Sequence, residues 1–168
     1  ITFFDPSAFR SRVAAEADFN PREHGLGPQE IRRMDRAAQF AVVTARQALA
    51  DSGLDPGAIA PHRTGVAVGS AVGATMSLDR EYGVVSDGGR LDLVDHEYAV
   101  SHLYDYFVPS SFAAEVAWSA GAEGPVTMIS TGCTSGLDSV GYAAELIREN
   151  SADVMIAGAA DAPISPIT

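Results

Sequence analysis

The chain has 168 residues, 46% of them hydrophobic, and a formal net charge of −11; it contains no lysine, so all 11 basic residues are arginine. This size and hydrophobicity suit one globular domain or a large part of one, and the acidic balance excludes non-specific nucleic-acid binding, which needs clustered basic side chains. A single cysteine excludes an internal disulfide framework and a CxxC zinc site, and no apolar run reaches the ~18–20 residues of a membrane span, so a protein of a reducing cytoplasm is expected.

The chain opens on Ile1 with no initiator Met and stops at Thr168, soon after an apolar run, so a piece of a longer protein is expected. Residues 1–27 read as irregular, with turns at Asp5-Pro6-Ser7 and Asn20-Pro21. Pro28 suits the first turn of a helix and Gly53 its end. Between them Ile31, Met34, Ala38, Ala41, Ala45 and Ala48 recur at spacings of three and four, which predicts one long helix with Arg32-Arg33 and Asp35-Arg36 on its solvated face.

After an Asp55-Pro56-Gly57 turn, the short apolar run Thr64 to Ser70 predicts a buried strand. The small residues Gly69, Ser70 and Gly73 then read as close backbone packing, since the segment does not match the GxxxxGK[ST] phosphate loop. Residues 76–82 and 112–120 read as helical. The aromatic group Tyr98, Tyr104, Tyr106 and Phe107 reads as core or oligomer contact. His96 and His102 stand six apart, not at the i, i+4 spacing that puts two ligands on one helical face, so no metal is assigned to them.

The last third predicts a strand at Val126–Ser130, a tight turn at Thr131–Gly136, a helix carrying Leu137, Val140, Ala144 and Ile147, and a strand from Asp153 to Gly158. This order implies a parallel βαβ unit in an α/β sheet. Cys133 then lies between a buried strand and a helix N-terminus, the position of a nucleophile elbow with cysteine in place of serine. Unpaired N–H groups and the positive dipole pole favour the thiolate there. The Cys133 N–H is placed to help hold an oxyanion, and Gly132 and Gly136 remove side chains where a substrate or a neighbouring backbone must come close. Asp138, in the first helical turn, offsets part of the dipole. Such junctions also bury inert cysteines, and pattern alone leaves both readings open.

Gly124-Pro125-Val126 leading into Ser130-Thr131-Gly132-Cys133-Thr134-Ser135-Gly136-Leu137-Asp138-Ser139 resembles the active-site stretch of β-ketoacyl synthases, above all the condensing (alpha) subunit of aromatic, type II polyketide synthases. Ile1 to Pro6, Gln29 to Arg36 and Ala157 to Asp161 are similar to the same subfamily, so the resemblance runs over essentially the whole chain. It implies an α/β, thiolase-like layered fold, with residues 1–168 as a single partial domain, most of the N-terminal half. It implies Cys133 as the catalytic nucleophile, taking a growing acyl chain from an acyl carrier protein as a thioester and passing it to a carbanion made by decarboxylating malonyl-carrier protein. The implied partners are that carrier protein and a cysteine-lacking chain-length factor in a heterodimer. No cofactor is implied beyond the phosphopantetheine that carries the substrates. The family's two catalytic histidines belong to its other half, and His24, His62, His96 and His102 do not occupy those motifs. A fatty-acid-type 3-oxoacyl-carrier-protein synthase would use the same chemistry; a non-catalytic pairing subunit with an inert cysteine is the alternative of another class.

Overall fold

The computed structural model describes residues 1–55, 59–93, 95–101 and 103–167. Part of the expected Asp55-Pro56-Gly57 turn and all of His102 lie outside them, as do the side chains of Tyr106 and Phe107.

The long helix expected from Pro28 is two helices, α1 (Pro28–Arg33) and α2 (Arg36–Asp51). The apolar stripe runs through the break, which is why periodicity missed it. Asp35 causes the interruption: its backbone is extended, and its carboxylate accepts the Ala37 N–H (2.8 Å) as the N-cap of α2. The other carboxylate oxygen accepts the Ser77 N–H at 3.2 Å. Gln39 then donates to the carbonyls of Met34 and Ile31, which α1 leaves unpaired. The expected solvated face is also corrected. Asp35 is buried, Arg33 pairs in a fork with the buried Glu115 at 2.6 and 2.7 Å, and Arg36 lies over the rings of Phe3, Phe19 and Phe40.

Strand β1 (Thr64–Gly69) is buried at all six positions. Helix α3 (Thr75–Val85) follows, then an irregular stretch with a short 3-10 turn at His96–Tyr98, and helices α4 (Leu103–Phe107) and α5 (Ser110–Ala120). The chain continues through β2 (Val126–Ile129), a 3-10 turn (Gly132–Thr134), α6 (Ser135–Arg148) and β3 (Val154–Ala159).

The three strands are parallel in the order β2-β1-β3, so the expected βαβ unit exists with β1 inserted between its two strands. Helix α6 covers one face of the sheet; α5 packs on the other, with α2 against α5 and β3. The core between them is built on Val42, Val66, Phe112 and Val116, each nearly inaccessible to water. Gly69 faces Ile129 on one side and Ala159 on the other, so all three strands finish level. The segments that follow them therefore meet at one end of the sheet, the end where open parallel α/β sheets hold their ligands.

Candidate active site

Three strand exits converge there: Ser130–Thr134 after β2, Ser70–Ala74 after β1, and Ala160–Asp161 after β3. Ladder bonds carry the alignment past the strand ends, from Ser70 N–H to Ile129 C=O and from Ala160 N–H to Gly69 C=O, both 3.1 Å.

Cys133 is the middle residue of the 3-10 turn, and α6 begins two residues later. Its side chain is exposed, so the sulfur is open to solvent at a helix N-terminus rather than packed in the core. The N–H groups of this first turn have no acceptor within the helix. The Gly132 backbone is left-handed, φ 70°, and no atom within 4 Å would obstruct a β-carbon there. To the sequence reading of Gly132 as room for an approaching group the structure adds a conformational requirement, the left-handed backbone. Gly136 does relieve crowding, with the Ala159 β-carbon 3.0 Å from where its own would lie. Closer still is Gly69, where a β-carbon would fall on the Ser135 carbonyl and within 2.9 Å of the Gly136 nitrogen. The end of β1 thus lets the start of α6 rest directly on the sheet.

Side chains fasten the turn from two sides. On the inner side, buried Ser135 accepts the Thr131 N–H (3.0 Å) and donates to the Gly132 carbonyl (2.6 Å). On the outer side, one carboxylate oxygen of Asp138 accepts the hydroxyls of Thr131 and Thr134, the latter at 3.0 Å. Thr131, Gly132 and Thr134, which flank Cys133, are all held by these contacts.

The neighbouring loop is held by Asp161. Its carboxylate accepts the Ser70 hydroxyl at 2.6 Å, the Ala71 N–H at 3.0 Å and the Val72 N–H at 3.3 Å. The Ser70 hydroxyl in turn accepts the Gly73 N–H at 2.9 Å. Close backbone packing is found at Gly69 and the buried Ser70, whereas Gly73 has open space at its β-carbon position and a left-handed backbone, φ 62°. A cavity of about 250 Å³ opens beside this loop, lined among others by Ser70, Val72, Leu78, Met128 and Ser130. Sequence reasoning missed Asp161 and Ser135 as organisers of the site. Asp161 stands just beyond an apolar strand, as Cys133 does, and that shared placement was the available signal.

The three described histidines have their own settings, outside the turn that carries Cys133. His24 stacks on Phe19, His62 and His96 sit in short 3-10 turns, and among the described residues no cluster of three or more metal-ligating side chains occurs. Among them, too, no helix is long and apolar enough to cross a membrane.

Comparison with known proteins adds a family. Residues 5–168 match the profile described as "Beta-ketoacyl synthase, N-terminal domain". The chain is 62% identical over its whole length to the tetracenomycin polyketide synthase ketoacyl synthase alpha subunit of Streptomyces glaucescens, of which it covers 39%. Among solved structures it is similar to the ishigamide ketosynthase/chain length factor (TM-score 0.82, 28% identity, 96% of this chain and 39% of that one). It is also similar to a type II polyketide synthase acyl-carrier protein in complex with its ketosynthase bound to the hexaketide (TM-score 0.74, 38% identity, 80% of this chain and 33% of that one). The chain spans about two fifths of the length of the curated relatives it matches.

Proposed function

The chain belongs to the β-ketoacyl synthase family, and on that premise we propose that Cys133 is the acyl-carrying nucleophile of a ketosynthase alpha subunit acting in aromatic polyketide biosynthesis. The fold over these residues is the thiolase-like ketosynthase fold. We assign residues 1–168 to a single partial domain, most of the N-terminal half of such an enzyme. The observation that carries the proposal is the exposed sulfur on the turn that enters α6, at the shared end of three parallel strands.

The chemistry follows from that position. The Cys133 thiolate attacks the thioester carbonyl of an acyl group on a carrier protein; the Cys133 S–C bond forms, the acyl–phosphopantetheine C–S bond breaks, and the phosphopantetheine leaves as a thiolate that takes a proton from solvent. N–H groups of the turn, that of Cys133 among them, stabilise the oxyanion as it develops. Malonyl-carrier protein then loses CO2 to give an enolate, whose carbon attacks the Cys133 thioester. A C–C bond forms, the Cys133 S–C bond breaks, and the carrier holds a β-ketoacyl chain two carbons longer. The histidines that this family uses in decarboxylation belong to its other half, so residues 1–168 alone are expected to be inactive.

The proposed partners are an acyl carrier protein and a chain-length factor, the companions named for the two structural neighbours. A surface suited to the second runs through Tyr82, Val84, Leu91, Leu93, Tyr98 and Tyr104, all exposed. The complete polypeptide with its partner subunit, given acyl- and malonyl-carrier protein, should release CO2 and yield the extended β-ketoacyl product. Cys133→Ala should abolish that product. Condensation by the cysteine-free variant would refute the assignment.

A further inference from the structure

Asp138 is the charged residue of the turn that carries Cys133, and the chemistry above has no use for it. Its sequence position suggests a small electrostatic penalty on the nucleophile. Its contacts describe something else. It lies on the first turn of α6, yet its carboxylate reaches back across the helix start to Thr131 and Thr134. These two residues bracket Gly132-Cys133. Gly132 has a left-handed backbone and open space where a side chain would lie, so on its outer side no side chain of its own packs the turn in place. Ser135 secures the buried side of the same turn. Without the outer fastening, the Thr134 hydroxyl keeps only its longer contacts with the carbonyl and hydroxyl oxygens of Thr131, both 3.2 Å, and the exposed half of the turn is no longer tied to α6.

We propose that Asp138 is a positioning residue: with Thr131 and Thr134 it forms an outer clamp that fixes the direction of the Cys133 side chain and of the N–H groups beside it. The inference rests on the reading of Cys133 as a nucleophile. It assigns Asp138 the role of hydrogen-bond acceptor rather than charge. An amide oxygen can accept the same two hydroxyls, so Asp138→Asn keeps the clamp, whereas Asp138→Ala removes it. A purely electrostatic role would make these two variants alike.

The test uses the complete polypeptide with its partner subunit, well below its melting temperature. The first measurement is the rate of acyl transfer from carrier protein to Cys133, at saturating carrier and as a function of carrier concentration. Asp138→Ala should lower the saturated rate by about tenfold to a hundredfold, the scale of a slightly misplaced reacting group, while the half-saturating carrier concentration stays close to wild type. Asp138→Asn should recover most of the rate. Thr131→Val and Thr131→Ser form a second pair, expected to lose and retain the rate in the same way, and they decide the matter if Asp138→Ala does not fold. Wild-type rates in Asp138→Ala or in Thr131→Val, or equal losses in Asp138→Ala and Asp138→Asn, would overturn the clamp. Alkylation of Cys133 by iodoacetamide is measured in parallel. A wild-type protein that alkylates without accepting the acyl group sinks the functional reading alone, and the contrast between alanine and asparagine in alkylation then judges the clamp.

Discussion

Two glycines control where Cys133 sits, for different reasons. At Gly132 the left-handed backbone is the constraint. A β-carbon there costs about 1–2 kcal/mol, so Gly132→Ala should lower acylation of Cys133 with only a small loss of melting temperature, because strain can be relieved by distorting the exposed turn. At Gly69 the constraint is contact with the α6 backbone at Ser135 and Gly136. Backbone cannot move aside as a flexible side chain does, so Gly69→Ala should cost about 1–3 kcal/mol as overpacking and also displace the start of α6. A thermal melt together with an acylation rate for each variant checks both; a Gly69→Ala protein as stable and as reactive as wild type would show that the sheet and α6 are less tightly seated than described.

The helices that frame the site are joined by ion pairs whose partners lie far apart in sequence. Arg33 on α1 meets Glu115 on α5, and the buried carboxylate holds the guanidinium pKa above its ordinary value. Arg33→Ala would leave Glu115 buried without that partner, so it should destabilise the protein by about 2–3 kcal/mol, read as a lower denaturation midpoint; Arg33→Lys should restore only part of it, because the fork is lost. Glu30 is held below the usual glutamate range, first by the Gly27 N–H and then by Arg46, against the opposing effect of partial burial. A depressed pKa means that the unfolded chain takes up the proton first. Its contribution is therefore present above the ordinary pKa of 4.5 and disappears as pH falls through the lower, folded value. Glu30→Gln should flatten the acid-side decline in stability, measured by melting between pH 3 and 6. Such pairings also mark how far the sequence was legible. The strand–turn–helix around Cys133 is local, so periodicity and turn residues placed it correctly. The break at Asp35 was hidden because the apolar stripe continues through it and because half of the cap's partners, such as Ser77, lie some forty positions away. Asp161 and its loop are ninety positions apart; its place just past an apolar strand marks it as a strand-end residue, but spacing along the chain does not say which loop it holds.

On the scale of the whole molecule, residues 1–168 leave apolar surface uncovered on the side where α6 lies. Leu137, Val140 and Ile147 all point away from the sheet and are exposed, Leu137 at 77%. Among the described residues the outer edges of β2 and β3 have no strand beside them; on the opposite face, between α2 and β3, a cavity of about 240 Å³ is lined by Ala41, Ala45, Ala48, Ile156 and Gly158. Full burial of each large side chain is worth about 1.5–3 kcal/mol, so the exposed α6 residues favour a covering partner. The 168-residue chain expressed alone should therefore melt broadly and bind a hydrophobic dye, and a sharp cooperative transition without dye binding would show that it needs no cover. The fold presents the Cys133 sulfur at the end of its sheet. Peptide mapping by mass spectrometry, after the complete polypeptide has met acyl-carrier protein, should find the acyl group on Cys133 and find none in a folded Cys133→Ala protein. An acyl group attached elsewhere, or no adduct on a protein shown to be folded, would contradict the account.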